Sequence, residues 1–394
     1  MKIILGVSAS VAIYKAAELA RLLIREGADV TAVMTPNAVK LVDLRLFDAV
    51  TGRPTITDLF AREHAFAHLE AAEGADAFAV VPATANILGK LSAGIADDAL
   101  TTVALAVGCG RLVAPAMNPK MWAKAEVQRN VSTLRELGYV VVPPEEGKTA
   151  CGDAGVGRLA DVGVITEDIL RLAHGETGLV GKKVVVTAGP TGERFDAVRM
   201  LTNPSSGLMG YEIARRAARR GAAVTLISGV RADPTPLGST IKVVRVESAG
   251  EMHEATAAAF EEAAALVMAA AVSDYRFDES HDHKVKKTKD KITATLIPTV
   301  DIISELAVNK GDRLIIGFAA ETDNIVQNAK DKLLKKKVDL VVANAVGRAG
   351  VGFGSEKAEA AIISTDGVED LGEISKANLA EKVLDELERL LGKA

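Results

Sequence analysis

Short apolar runs alternate with amphipathic stretches from the start of the chain, and this alternation predicts β-strands that are followed by α-helices. Lys2–Val7 is typical of a short buried strand, and Asp29–Met34 of a second one. Between them, apolar residues recur at helical spacing over Ala12–Glu26, and Gly27 is suited to end that helix. Because two strands joined through a helix lie parallel in one sheet, this opening predicts a parallel α/β domain.

The same pattern continues, and it restarts after a polar, glycine-rich stretch at His174–Gly181. The other elements predicted for the first half are strands at Asp76–Val81, Arg111–Ala114 and Tyr139–Val142, and helices at Ala99–Val107 and Glu126–Leu137. Those predicted for the second half are strands at Lys183–Thr187, Ala223–Ser228, Leu266–Ala271, Leu314–Gly317 and Leu340–Ala343, and helices at Gly207–Arg220, Asp323–Lys336 and Lys376–Leu391. We therefore expect two tandem α/β domains, residues 1–176 and 177–394.

Composition narrows the class of protein. The chain has 394 residues, of which 48% are hydrophobic and 25% charged, and its net charge is −5, so general binding to nucleic acid or to an anionic membrane is not expected. No run of 18 uncharged apolar residues predicts a membrane span, and charged residues at 15, 18 and 21 argue against a signal peptide. Two cysteines, Cys109 and Cys151, are too few for a disulfide framework, which favours a reducing cytoplasm.

Polar loops follow the first three predicted strands, where a parallel sheet places its ligands. Their candidate binding residues are Gly6, Ser8, Ser10, Thr35, Thr84 and Asn86. Backbone N–H groups and hydroxyls at the start of a helix can hold a phosphate. Many strand–helix turns carry glycine and serine without binding a ligand, so these loops alone leave both interpretations open.

Two segments in the first half are more specific. PAMNPKMW (Pro115–Trp122) follows a predicted strand, and ACGDAGVGR (Ala150–Arg158) surrounds a lone cysteine with glycines, while His68 lies shortly before another strand. Over about residues 1–172, the chain resembles the flavin-dependent cysteine decarboxylases, in particular the phosphopantothenoylcysteine decarboxylase domain. The resemblance implies a flavodoxin-like or Rossmann-like domain with bound FMN.

The resemblance to the cysteine decarboxylases also implies a role for three residues. His68 would be the base of the oxidative decarboxylation, Asn118 would hydrogen-bond the substrate carboxylate, and Cys151 would donate a proton to the enethiol. Two of them have a simpler interpretation: His68 as an ordinary surface or core histidine, and Asn118 as the start of a turn. The glycines around Cys151 suit a mobile loop better than a core. His64 and His68 are spaced for a metal pair, but no third ligand accompanies them. Cys109 is typical of a small buried residue.

The second half carries a different set of segments. TAGPTGER follows its first strand and contains Gly189, and Ser205, Ser206 and Gly207 open a predicted helix, where plain capping is the alternative to phosphate binding. AAAVSDYR begins at Ala269, a basic run begins at His283, and GFAAET begins at Gly317. Over about residues 182–391 this set resembles phosphopantothenate–cysteine ligase, with a Rossmann-like nucleotide-binding domain.

By that resemblance, the carboxylate of 4′-phosphopantothenate attacks CTP to give an acyl-cytidylate, and L-cysteine then displaces CMP. Asn203 would act on the acyl-cytidylate, and Lys284 in the first step, with Mg²⁺ on ligands that the sequence does not identify. The implied nucleotide pocket comprises Ala269, Ala270, Asp274, Lys284, Asp301, Phe318, Lys332 and Lys336, and Gly189, Ser205, Ser206 and Gly207 would contact phosphate. Leu208 and Pro204 depart from the family pattern, which often has lysine and histidine there.

The resemblance implies a bifunctional enzyme of coenzyme A biosynthesis that assembles as a homo-oligomer, with ligase dimers and decarboxylase trimers or dodecamers. Rival interpretations are a non-catalytic flavoprotein subunit and a decarboxylase of another C-terminal cysteine. The presence of His68 and Cys151 argues against the first, and the fused ligase half against the second. An NAD-dependent oxidoreductase is disfavoured because no G-x-G-x-x-G follows the first strand of either half.

Overall fold

The chain folds as two compact α/β units. The computed structural model describes residues 1–59, 67–148, 152–175, 178–230, 236–287, 292–321, 324–345 and 355–392. Unit 1 comprises Met1–Gly175 together with Leu237–Ser239, and unit 2 comprises Glu176–Pro236 and Thr240–Ala394. Within the described ranges, no helix is both long and apolar enough to cross a bilayer.

Unit 1 is built on five parallel strands. Its elements are β1 (Lys2–Val7), α1 (Ile13–Arg25), β2 (Asp29–Met34), α2 (Pro36–Leu41), α3 (Arg45–Thr51), α4 (Ala67–Ala72), β3 (Ala77–Ala83), α5 (Ala85–Ala93), α6 (Ala99–Ala106), β4 (Gly110–Pro115), α7 (Pro119–Trp122), α8 (Ala125–Glu136), β5 (Tyr139–Val141), β6 (Glu145–Lys148), β7 (Ala154–Arg158) and α9 (Val162–His174). The order of the sheet is β2-β1-β3-β4-β5, which is the flavodoxin-like order.

Helices cover both faces of this sheet, which explains why its strands are apolar runs without alternation. Ile3 and Leu5 of β1 pack on one side with Leu19 of α1, whereas Ile4 between them packs on the other side with Leu100 of α6. Gly6 is buried in β1, where an added Cβ would lie 3.0 Å from Leu100 Cδ1. The predicted strands and helices of this half are confirmed to within a few residues at their ends.

Unit 2 has a larger sheet. Its elements are β8 (Lys183–Ala188), β9 (Gly192–Arg194), β10 (Met200–Thr202), α10 (Leu208–Arg219), β11 (Ala223–Ser228), β12 (Lys242–Arg245), α11 (Ala249–Phe260), β13 (Ala265–Met268), β14 (Tyr275–Phe277), β15 (Leu296–Pro298), α12 (Ile302–Val308), β16 (Leu314–Glu321), α13 (Ile325–Lys336), β17 (Leu340–Ala345), β18 (Lys357–Ser364), β19 (Gly367–Ser375) and α14 (Lys376–Leu391). The order is β12-β11-β8-β13-β16-β17-β18-β19.

The first six strands of this sheet are parallel, and their order corresponds to the 3-2-1-4-5-6 order of Rossmann folds. The last two strands, β18 and β19, are antiparallel additions at one edge. The prediction of two tandem α/β domains with parallel sheets is therefore confirmed. The sequence did not predict this edge hairpin, and it extended β13 to Ala271, whereas the strand ends at Met268.

Candidate active sites

The point where the strand order of unit 1 reverses lies between β1 and β3, and the loops there are joined by hydrogen bonds. The Ser8 hydroxyl donates to the carbonyl oxygen of Pro82 at 2.7 Å and accepts from the N–H of Thr84 at 3.1 Å. Ser8 is almost fully buried, so its hydroxyl holds the two loops together. In an open parallel sheet, such a reversal opens the crevice in which ligands bind.

The other predicted cofactor residues of unit 1 surround the same strand ends. Thr35 and Thr84 cap α2 and α5, because their hydroxyls accept from the N–H groups of Ala38 and Ile87. Asn86 is exposed in the first turn of α5, and Ser10 lies before α1, where its hydroxyl accepts from the N–H of Ala12 at 3.3 Å. Gly6, in contrast, lies inside the sheet, where the absence of a side chain lets α6 pack closely.

The two specific segments of unit 1 contact each other directly. β6 and β7 form an antiparallel hairpin whose second strand lies on the loop after β4, where the N–H of Met117 donates to Gly157 O at 3.0 Å. A Cβ on Gly157 would lie 2.4 Å from the Met117 carbonyl oxygen, so a side chain cannot be accommodated there. Glycine at this position therefore lets the hairpin pack against the PAMN loop.

Asn118 is held on both sides of its amide. Its oxygen caps α7 by accepting from the N–H of Lys120 at 2.8 Å, and its nitrogen donates to Asp153 Oδ2 at 2.6 Å. Lys120 Nζ lies 3.7 Å from the other oxygen of Asp153. The hydrogen bond from Asn118 and the nearby Lys120 charge lower the pKa of Asp153 below its usual value.

A cavity of about 480 Å³ opens at this edge of unit 1, within the usual range of small-molecule sites. Its lining brings Ser10 and Asn118 together with Gly157 and Arg158 of the ACGDAGVGR segment, and with Lys148, which the sequence analysis did not single out. Lys148 and Gly157 belong to the hairpin that flanks the cysteine loop. Cys151 itself lies outside the described residues, as does His64, so their predicted roles stay predictions.

His68 lies on α4, which packs against α6, and it does not line this cavity. Its Nδ1 is buried without a hydrogen-bond partner among the residues that the structure describes. A buried polar atom of this kind is uncommon, and it favours a functional role over the ordinary interpretation of an isolated histidine. Cys109 is half-buried, and burial raises the pKa of its thiol.

In unit 2 the strand order reverses between β8 and β13, and Asn203 lies at that point. Its amide nitrogen donates to the carbonyl oxygens of Ala271 and Val272, at 3.1 and 3.2 Å. Gly189, at the end of β8, has φ +78° and accepts from the N–H of Ala271 at 3.0 Å. Asn203 and Gly189 therefore both attach to the segment that leaves β13.

The helix after Asn203 approaches the sheet closely. Gly207 begins α10 in the left-handed conformation, and a Cβ on Gly210 would lie 2.5 Å from that of Ala188. The hydroxyls of Ser205 and Ser206 accept from the N–H groups two residues further along the chain. In a Rossmann fold, glycines at these places let the first helix lie against the strand and leave its N-terminus open to a phosphate.

A smaller cavity, of about 110 Å³, lies at this edge of unit 2. The predicted residues that line it are Ser205, Ser206, Gly207, Ala269, Ala270 and Phe318. Leu208 also lines it, so the position where the family often has lysine contributes an apolar side chain. The sequence analysis missed Asn344 and Lys376 in this lining.

The other residues predicted to bind the nucleotide fall into two groups: those that contact each other, and those that are exposed away from the cavity. Lys336 forms a 2.9 Å ion pair with Asp301, and Lys332 donates to the carbonyl oxygen of Phe318 at 2.5 Å, so these four predicted residues are connected in two pairs. Asp274 and Lys284 are exposed and do not line the cavity. Val285, next to Lys284, donates its N–H to the buried Asp196 at 3.1 Å.

Lys376 is a buried lysine at the first position of α14, and burial lowers the pKa of its ammonium group. A cation in the first turn of a helix is unfavourable to the helix dipole, so this placement was the one signal in the sequence that could have identified it. No cluster of three or more acidic, histidine or cysteine side chains suited to a metal occurs among the described residues.

Comparison with known proteins assigns each half of the chain to a family. The profile of the family described as Flavoprotein matches residues 1–174, and that described as DNA/pantothenate metabolism flavoprotein C-terminal domain matches residues 179–391. The chain is thus a flavoprotein domain fused to a pantothenate-metabolism domain. It belongs to the family of coenzyme A biosynthesis bifunctional proteins.

Two relatives document this membership. The chain is 40% identical to the coenzyme A biosynthesis bifunctional protein CoaBC of Bacillus subtilis (strain 168), over 98% of this chain and 97% of that one. It is 39% identical to the protein of the same name from Vibrio cholerae, over 97% and 96%. A crystal structure of the C-terminal domain of such a protein is 34% identical, covers 56% of this chain and 100% of its own, and gives a TM-score of 0.47.

Proposed function

We propose that unit 2 joins 4′-phosphopantothenate to L-cysteine with CTP, and that unit 1 decarboxylates the product to 4′-phosphopantetheine. The observation that carries the proposal is the near full-length similarity to bifunctional relatives, together with a cavity at the strand-end edge of each unit. We assign the two activities to residues 1–176 and 177–394.

FMN is the proposed cofactor of unit 1. The flavodoxin-like strand order favours FMN at the β1/β3 reversal, where Ser10 and the N–H groups before α1 suit its phosphate. The residues of the loops after β1, β2 and β3 fit such a ligand, since each presents hydroxyl or amide groups at the same edge. When bound, the flavin supplies the oxidation of the substrate thiol that makes loss of CO₂ feasible, and it returns the electrons afterwards.

The side chains of unit 1 then have separate tasks. The amide nitrogen of Asn118 holds the substrate carboxylate, because the amide oxygen is already used to cap α7. His68 removes a proton in the oxidative stage, for which an Nδ1 without a hydrogen-bond partner among the described residues is suited. Cys151 donates a proton to the enethiolate carbon in the reductive stage. The hairpin that carries Cys151 packs on the Asn118 loop, which supports this assignment.

In unit 2 the proposed reaction is acyl activation. Ser205, Ser206 and Gly207 would contact nucleotide phosphate, and Asn203 would orient the acyl-cytidylate for attack by the cysteine amine. The pairs Asp301–Lys336 and Phe318–Lys332 would border the nucleotide, with Asp274, Ala269 and Ala270 near them. Lys284 and Mg²⁺ would neutralise charge on the triphosphate. We also propose that the protein is a homo-oligomer in the cytoplasm.

A coupled assay tests both halves. Purified protein with 4′-phosphopantothenate, L-cysteine and Mg²⁺ should release diphosphate and CO₂ with CTP, and much less with ATP, GTP or UTP. The protein should be yellow and should release FMN on denaturation. A colourless protein that forms the ligation product without CO₂ would contradict the decarboxylase, and CO₂ release only from supplied 4′-phosphopantothenoyl-cysteine would contradict the ligase.

A further inference from the structure

Asp153 accepts from the Asn118 amide nitrogen, the group that the proposed decarboxylation needs for its substrate. The oxygen of the Asn118 amide accepts from the N–H of Lys120, which fixes the orientation of the amide and directs its nitrogen toward the hairpin. That nitrogen donates to Asp153 Oδ2 at 2.6 Å. The group bound to the nitrogen is therefore a carboxylate, the same group that the substrate presents.

The local charges reinforce this contact. Lys120 Nζ lies 3.7 Å from Asp153 Oδ1, so an anion here gains from both an amide donor and an ammonium group. Because of the Asn118 hydrogen bond and the Lys120 charge, the pKa of Asp153 lies below its usual value, and the side chain is ionised at neutral pH. The side chain is still 40% exposed, so it can move into solvent when another anion takes its place.

Asp153 also cannot diffuse away. It lies directly before β7, which is attached to the Asn118 loop through the hydrogen bond between Met117 and Gly157. Gly155 and Gly157 allow that approach, because a Cβ on either would contact the backbone or ring of the loop. A tethered carboxylate of this kind competes at high effective concentration with any ligand that needs the same donor.

We infer that the Asp153 carboxylate is an internal substitute for the substrate carboxylate: two carboxylates on one amide nitrogen would repel each other, so the substrate displaces Asp153 from Asn118 when it binds. This inference rests on the proposed decarboxylase function and concerns the selection of its ligand. A ligand with a carboxylate replaces one anion by another on the Asn118 amide. The decarboxylated product has no such group, so Asp153 returns to Asn118 and the product gains nothing from the donor.

The test compares two ligands in the full-length, flavin-loaded protein. 4′-Phosphopantothenoyl-serine keeps the carboxylate but lacks the thiol, so it binds without turnover, and 4′-phosphopantetheine lacks the carboxylate. Both dissociation constants are measured from changes in flavin absorbance. In Asp153→Ala the serine analogue should bind about three- to tenfold more tightly, because its competitor is gone, whereas binding of 4′-phosphopantetheine should be unchanged.

Two further variants and a matched control sharpen the result. Asp153→Asn keeps the shape but not the charge of the side chain, so its effect on binding of the serine analogue should lie between those of wild type and Asp153→Ala. It replaces the alanine variant in the test if that variant loses flavin or folds poorly. In an Asn118→Ala background, the effect of Asp153→Ala should be smaller, since the shared amide donor is absent and only the Lys120 charge remains. Glu146→Gln, an exposed acid on the other strand of the same hairpin, should bind both ligands as wild type does.

The outcomes separate this inference from the function on which it rests. If wild type releases no CO₂ from 4′-phosphopantothenoyl-cysteine, the proposed decarboxylase function is wrong. The inferred exchange of the Asp153 carboxylate for the substrate carboxylate is then wrong as well. If wild type decarboxylates, but Asp153→Ala changes the two dissociation constants equally, only the exchange is overturned. Weaker binding of the serine analogue, or an effect that is undiminished without Asn118, overturns the inferred displacement of Asp153 in the same way.

Discussion

Gly157 joins the two specific segments of unit 1 through a single backbone contact. A Cβ there would lie 2.4 Å from Met117 O and 3.1 Å from Pro119 N, and backbone atoms cannot rotate away as a side chain can. We expect Gly157→Ala to destabilise unit 1 by about 1–3 kcal/mol. It should also slow decarboxylation more than about tenfold, because the hairpin must shift from Asn118. Steady-state CO₂ release measures the second effect.

Gly147→Ala is the matched control for this variant. Gly147 lies on the partner strand of the same hairpin, and the nearest atom to its added Cβ would be Arg158 Cδ at 3.6 Å, an ordinary contact. Decarboxylation by Gly147→Ala should equal that of wild type, and ligation should be normal in both variants. Normal decarboxylation by Gly157→Ala would show that the loop and the hairpin are not packed this closely.

The burial of Cys109 can be tested through the reactivity of its thiol. The chain has two cysteines, so Cys151→Ser leaves Cys109 as the sole thiol. Burial raises the pKa of this thiol, which lowers the fraction of reactive thiolate. Alkylation by iodoacetamide at pH 8 should be at least about tenfold slower in the folded variant than in guanidinium. Equal rates would mean that Cys109 is accessible and its pKa normal.

At the scale of elements, α14 packs against α10 through a cluster of ion pairs. The Glu381 carboxylate accepts hydrogen bonds from Arg216 and Arg220, and Asp385 accepts from Arg220 at 2.7 Å. Burial alone would raise the pKa of Glu381, but the two arginines outweigh it, and the pKa lies below its usual value. Since the folded pKa is the lower one, this stabilisation is present above about pH 4.3, the usual glutamate value.

Glu381→Gln should therefore lower the free energy of unfolding of unit 2 by about 1–3 kcal/mol at pH 7. The difference from wild type should shrink as the pH falls through the lowered pKa, because protonated Glu381 no longer attracts the arginines. Urea unfolding at pH 7 and at acid pH measures both effects. Glu369→Gln, which breaks an exposed pair with Lys382, should cost less than about 0.5 kcal/mol.

Elements also show what the sequence could and could not predict. Parallel strands buried on both faces leave apolar runs such as Lys183–Thr187, and these predicted the five strands of the unit 1 sheet and five of the eight described strands of the unit 2 sheet, with the short edge strand β12 among those missed. The strand β19 is mostly exposed at the sheet edge, and its sequence has no such run, so the hairpin with β18 was missed. The end of β13 was misplaced because Ala270 and Ala271 turn away to bond Thr187 and Gly189.

The sites were predicted unevenly for a similar reason. Asn118 follows β4, at the edge where a parallel sheet brings its strand ends together, but its role and that of Asn203 came from the family resemblance. Asp153 reaches Asn118, and Lys376 reaches the cavity of unit 2, from elements that are distant in sequence, and the cation at the start of α14 was the one local signal. The roles of Cys151 and Lys284 also came from motif resemblance.

At the scale of the whole molecule, each unit has its own core and its own cavity, so we expect the two activities to be separable by mutation. Asn203→Ala should block amide formation but still decarboxylate supplied 4′-phosphopantothenoyl-cysteine at the wild-type rate. Cys151→Ser should make that compound from CTP but release no 4′-phosphopantetheine. Each variant tests one unit and serves as the control for the other.

Mixing the two variants extends this argument. The compound that passes from unit 2 to unit 1 is a small molecule, so it can leave one chain and enter another. An equimolar mixture of the two inactive full-length proteins should convert 4′-phosphopantothenate to 4′-phosphopantetheine after a lag, during which the intermediate accumulates. Mass spectrometry of the reaction follows both compounds. A mixture that stays inactive, although each variant keeps its one activity, would mean that the intermediate is not released to solution between the two steps.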